Sequence, residues 1–118
     1  MLSRVNRITR AADFRATVRT GRKISSPNAV VYSISRSGGE PTRFGFIVSK
    51  AVGNSVIRHR VTRRLRAVGF SILADIPGSR DVIVRALPGS IEADWATLRS
   101  EIADAIARSA AEKGGARA

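Results

Sequence analysis

Apolar positions along this chain switch between a spacing of two and a spacing of three to four, and each switch predicts a change of element. In "TRAADFRATVRTG", residues 9–21, Phe14 and Val18 stand one helical turn apart. With Thr9 as a cap and Gly21 as a stop, the segment predicts a first helix of about three turns. "RKISS" predicts a short strand that Pro27 ends, and "NAVVYSISR", alternating and rich in β-branched residues, predicts a second. "SGGEP" then has the turn chemistry for a hairpin into a third strand, "TRFGFIVSK".

"AVGN" breaks the alternation, and Asn54 is placed to cap a long helix. Along that helix Ile57, Val61, Leu65, Val68 and Ile72 recur at 3.6-residue spacing and form a single apolar stripe. "DIPGS" ends it, "RDVIVRAL" predicts a fourth strand, and Ser90 is placed to cap a last helix. Ile91, Trp95, Leu98, Ile102 and Ile106 give the last helix one apolar face, so Trp95 is expected in the core. The order α-β-β-β-α-β-α predicts an α+β sandwich, a small mixed sheet packed by helices. No internal repeat is present. Residues 1–112 are expected to form a single domain and residues 113–118 a flexible tail.

Composition narrows the setting. The 118 residues include no cysteine, which removes disulfide frameworks and thiolate metal sites and suits a reducing cytoplasm. No apolar run is long enough for a membrane span, and "MLSRVNRITR" has no signal-peptide hydrophobic region, so a cytoplasmic protein without a membrane partner is expected.

Charge changes the picture most. The formal net charge is +12. Residues 1–66 carry fifteen Lys/Arg against two acids, Asp13 and Glu40, whereas residues 67–118 carry six against seven. Such one-sided basicity suits a polyanion, because each cation that meets a phosphate releases condensed counterions. An anionic membrane fits less well, since the long helix needs its apolar stripe for a core.

The densest cationic segment is that helix. His59, Arg60, Arg63, Arg64 and Arg66 fall opposite the apolar stripe, and Arg58 lies at its edge, where its stem can cover apolar surface. Charged outer faces are common on helices. Here, however, no acid lies between Glu40 and Asp75, so the arginines lack i, i+4 carboxylate partners. Several also sit in the first half of the helix, where the dipole favours acids. Arginine's planar fork suits phosphates and bases better than lysine does. Lys50 and the Gly53-Asn54 turn add a helix N-terminus able to hold a phosphate. Phe14 and Tyr32 are the aromatics best placed to stack on single-stranded bases, although each is also a natural core residue. The basic half lacks paired carboxylates for metal-assisted cleavage, and His59 has no acid to orient it, so no catalytic or metal-binding residue is assigned.

"FIVSKAVGNSVIRHRVTRRLR" resembles the signature of the bacterial ribonuclease P protein component. Lys50, Gly53, Asn54, Val56, Arg58, Arg60, Arg63 and Arg66 fall on matching positions. "NRITRAADF" and "VVYSI" resemble the family's opening and second strand, so the likeness spans residues 5–107. His59 stands where Asn is usual, Thr62 where Lys is usual, and Val18 where an aromatic often follows Phe14. The resemblance implies a left-handed β-α-β crossover, against the usual hand. It implies an RNA-binding domain that pairs 1:1 with ribonuclease P RNA and promotes 5′ leader removal from precursor tRNA. Mg²⁺ would be bound by that RNA, which performs the chemistry. Lys50, Asn54, Arg58, His59, Arg60, Arg63, Arg64 and Arg66 would contact the RNA subunit, and Phe14, Tyr32 and Lys50 the leader. The alternatives are a ribosomal-protein-like RNA-binding module without enzymatic role and a major-groove DNA reader, which would want Asn or Gln and a dimer seam.

Overall fold

The structure, a computed structural model, describes residues 2–37 and 39–116. The chain runs α1 (Ala11–Thr20), β1 (Arg22–Ser25), β2 (Ala29–Ser35), β3 (Arg43–Ile47), α2 (Ser55–Ile72), β4 (Arg80–Ala86) and α3 (Trp95–Ala116). Short 3-10 turns lie at Arg4–Asn6, Leu73–Asp75 and Pro88–Ile91. The element order and the α+β class are those the sequence predicts.

The four strands form one sheet in the order β1-β2-β4-β3. β1 pairs antiparallel with β2 and β2 with β4, whereas β3 runs parallel to β4, so the sheet is mixed. The expected hairpin between β2 and β3 is therefore not made: β4 lies between them. β4 is buried along six of its seven positions: its two edges pair with β2 and β3, and α2 with α3 on one face and α1 on the other cover its faces. β3 and β4, being parallel neighbours, need a long connection, and α2 supplies it.

Strand alternation sends side chains to two separate cores. Val31 of β2, Phe44 of β3 and Val82 and Val84 of β4 pack with Val61, Leu65, Val68 and Ile72 of α2 and Leu98, Ile102 and Ile106 of α3. The α2 stripe is thus in the core as predicted, with Ile57 partly buried at its start. On the other sheet face a smaller cluster of Ile8, Val30, Tyr32 and Ile83 takes Phe14 of α1, Ile47 and Leu87. α1 and α2 consequently lie on opposite sides of the sheet.

Two helix starts differ from expectation. α1 is not capped by Thr9: Arg10 is its N-cap residue, with no side-chain hydrogen bond. The segment before it is held extended, because Arg7 bridges to β3 and the Ile8 N–H donates to the Phe44 carbonyl at 2.8 Å. α3 does not start at Ser90, which is buried in a 3-10 turn. Asp94 starts it instead, its Oδ1 accepting the Thr97 N–H at 2.8 Å. That backbone hydrogen bond holds the Asp94 carboxyl below its ordinary value, with Arg64 adding a smaller contribution. α3 continues to Ala116, into the segment expected as a tail, and residues 117–118 lie outside the described residues.

The two acids of the basic half are both spent on structure. Arg43 donates to both carboxylate oxygens of Asp81, at 2.9 and 2.7 Å, and reaches Asp13 at 3.4 Å. Arg36 meets Glu40 and Asp81. Asp81 therefore links β4, β3 and the segment after β2 through charge-assisted bonds. The hydrogen bond that Arg43 donates to Asp81 is the main reason its guanidinium is held above its ordinary value.

Candidate nucleic-acid interface

α2 begins where "VGN" turns the chain. Val52 is buried and anchors the turn, and the Asn54 Oδ1 accepts the Ile57 N–H at 3.0 Å. A β-carbon at Gly53 would stand 2.9 Å from Cγ2 of Ile57, so only glycine lets the turn fold this tightly onto the first helical residues. Asn54 thus acts first as a cap. Lys50 is exposed in the same turn, between the strand that borders Phe14 and the arginine helix.

From that cap the helical phase fixes each cation. His59, Arg60 and Arg63 are exposed on the outer face, as predicted, and together with Ser55 and Val56 line a shallow depression of about 510 Å³. Arg66 is half-buried. Arg58 is half-buried too, and its Nε is buried without a hydrogen-bond partner. Among the described residues, no carboxylate is paired with Arg60 or Arg63. Thr62, standing where the family usually has lysine, donates its hydroxyl to the Arg58 carbonyl at 2.8 Å and is satisfied within the helix.

Arg64 does something the sequence does not indicate. Its guanidinium donates to the carbonyls of Ser90 at 3.1 Å and Ala93 at 2.5 Å. It therefore ties α2 to the segment that leads into α3, and it presents less free cation than its outward phase suggested.

Trp95, expected in the core, is 41 % exposed. Its helical phase points to the core side, but α3 starts at Trp95 itself, so the indole stands in the first turn, beyond the packed part of the α2–α3 contact. It shares a cleft of about 570 Å³ with Arg60, Arg63, Arg64, Arg66 and Ala67. Phe70 is also exposed on α2. An aromatic in the first turn after an Asp cap was the available sequence signal for Trp95. For Phe70 it was a place off the stripe.

A second basic surface lies across the sheet. Phe14, half-buried, lines an open cleft of about 500 Å³ with Arg15, Val18, Arg19 and Ile47. Gly45 of β3 lies under the Phe14 ring. Tyr32 belongs to the same cluster but is only 6 % exposed, so it forms the floor under the cleft and not an open ring. The Arg85 guanidinium stands 5.8 Å from the Tyr32 ring centroid. Sequence reasoning missed Arg85, although alternation from Ile83 along β4 places it on this face. Lys50 is not among the residues that line this cleft. Among the described residues, no group of three His, Cys, Asp or Glu side chains stands close enough to hold a metal, and no helix is long and apolar enough to cross a membrane.

A family model described as Ribonuclease P matches residues 2–110 of the chain. The chain is 45 % identical over 108 residues to the ribonuclease P protein component of Clavibacter michiganensis subsp. michiganensis, covering 92 % of this chain and 96 % of that protein. It is 46 % identical over 101 residues to that of Pseudarthrobacter chlorophenolicus, covering 86 % and 74 %. Among solved structures, the RNase P protein from Thermotoga maritima superposes with a TM-score of 0.75 at 21 % identity, covering 86 % of this chain and 96 % of that one. The Staphylococcus aureus RNase P protein gives 0.70 at 23 %, covering 92 % and 94 %. At those identities the structural likeness speaks for the fold alone.

Proposed function

This chain belongs to the ribonuclease P protein family, a subunit role in tRNA 5′ processing within an endoribonuclease complex, and from that premise we propose how its two basic surfaces divide the work. The outer face of α2 docks on ribonuclease P RNA, one protein to one RNA. The cleft under α1 holds the single-stranded 5′ leader of precursor tRNA. The observation that carries this division is that the sheet separates the two surfaces, so both RNA strands can be bound at once.

On the docking face, Arg60 and Arg63 supply unpaired guanidinium groups to phosphates, with His59 between them as a hydrogen-bonding contact. Arg58 and Arg66 lie lower on the flanks. Lys50 and the Asn54 turn extend the surface past the helix N-terminus. Arg64 contributes mainly by fixing the segment before α3.

In the cleft, a leader base stacks on Phe14 while Arg15 and Arg19 meet its phosphates. Tyr32 shapes the floor, Arg85 adds a cation beneath, and Lys50 lies on the path from the cleft strand to α2. Val18, in place of an aromatic, leaves Phe14 the main platform.

The protein's side chains bind and position; they do not cleave. Asp13 and Glu40, the acids of the basic half, are held by Arg43 and Arg36, which supports assigning phosphodiester hydrolysis and its Mg²⁺ to the RNA subunit. The absence of cysteine from the chain and an RNA partner both suit the cytoplasm. Reconstitution with in vitro transcribed ribonuclease P RNA tests the proposal: the complex should release the leader at the mature 5′ end and prefer leader-bearing over leaderless tRNA. Loss of that preference on removing the protein is the expected control, and an unchanged preference without protein would refute the cleft assignment.

A further inference from the structure

The geometry points to a third contact, resting on the RNA-docking role of α2: the cleft between α2 and the start of α3 takes an unpaired nucleobase of the RNA subunit, stacked on Trp95.

Trp95 is the chain's only tryptophan and the largest apolar side chain left exposed. An isolated exposed aromatic needs no explanation, but this one stands in a cleft whose other walls are four arginines and the small side chain of Ala67. A volume of about 570 Å³ is in the range of sites that hold a small organic group. A flat apolar face ringed by guanidinium groups matches a base joined to phosphates: the ring stacks, and the arginines meet the backbone on either side. A neutral apolar partner would leave Arg60 and Arg63 desolvated and unpaired. The acids nearby are Asp94 and Glu92, and Asp94 already caps α3 by accepting the Thr97 N–H.

The wall is also held in place. Arg64 binds the carbonyls of Ser90 and Ala93, five and two residues before Trp95, so the segment carrying Trp95 cannot swing from α2 without breaking charge-assisted bonds. Such fixing lowers the ordering cost of binding. The base must come from an unpaired loop, bulge or end, because a paired base has no free face for stacking.

Trp95 is its own probe. Its fluorescence in the full-length protein, titrated with in vitro transcribed ribonuclease P RNA, should be quenched with the affinity found by filter binding, and acrylamide should lose access to it in the complex. Trp95→Ala should weaken RNA binding roughly five- to a hundredfold. Trp95→Phe should restore most of it. Neither variant should change the slope of log affinity against log salt, because an indole releases no counterions. Unaltered affinity of a folded Trp95→Ala, or acrylamide access unchanged in the complex, would overturn the inference while leaving α2 docking intact. Burial of Trp95 that grows with protein concentration and needs no RNA would assign the cleft to a second copy of the chain and overturn it too. Absence of any RNA binding by wild type would instead remove the docking role itself.

Discussion

Phe14 of α1 rests on Gly45 of β3 so closely that a β-carbon at position 45 would stand 2.6 Å from Cζ of the ring. The missing side chain on the strand is what lets the aromatic ring reach the sheet and form one wall of the cleft. Gly45→Ala should therefore force the ring outward and cost about 1–3 kcal/mol. In a Phe14→Ala background the same substitution should cost less, with the Ile83 Cδ1 contact at 2.8 Å left, giving a coupling of about 1 kcal/mol. Denaturant unfolding of the four variants measures it, and strictly additive losses would show that the two residues do not constrain each other.

Phe14→Ala alone should reduce the holoenzyme's affinity for leader-bearing precursor tRNA roughly fivefold or more. Leaderless tRNA should bind as before. Equal losses for both substrates would make Phe14 a packing residue only.

Arg60 and Arg63 point away from the apolar stripe and have no carboxylate partner among the described residues. The double substitution Arg60→Ala and Arg63→Ala should leave the circular dichroism intact and weaken binding to the RNA subunit. It should also make the slope of log affinity against log salt shallower by about two. An unchanged slope would move the RNA subunit off this face.

Asp81 holds Arg43 with two bonds and also faces Arg36. Asp81→Ala takes the main partner from Arg43, leaving it Asp13 at 3.4 Å, and should cost about 1–3 kcal/mol in unfolding experiments. The salt slope of RNA binding should stay the same, because neither Arg36 nor Arg43 belongs to the docking face. A stability change below about 0.5 kcal/mol would mean that this edge is held by strand pairing alone.

Protein freed of RNA and contaminating nuclease should leave precursor tRNA uncut at every Mg²⁺ concentration, because Asp13 and Glu40, the acids of the basic half, are already paired with arginine. Accurate 5′ cleavage that survives such purification would contradict the assignment of chemistry to the RNA subunit.

Local pattern determined a great deal here. The 3.6-residue stripe from Ile57 to Ile72 identified α2, its buried face and the outward side of Arg60 and Arg63, because a helix's phase is set by its own residues. The Asn54 cap was legible for the same reason. Strand order was not. "SGGEP" suits a hairpin, but β4 takes the place between β2 and β3, pairing both of its edges, and that arrangement outweighs adjacency in sequence. The site residues divide the same way. Which side of a helix or strand a residue occupies follows from its own segment. Whether Trp95 ends outside the core, Tyr32 under the cleft, or Arg64 bound to the carbonyls of Ser90 and Ala93 depends on what another segment brings to that spot. Those contacts span distant parts of the chain, and only the packed structure decides them.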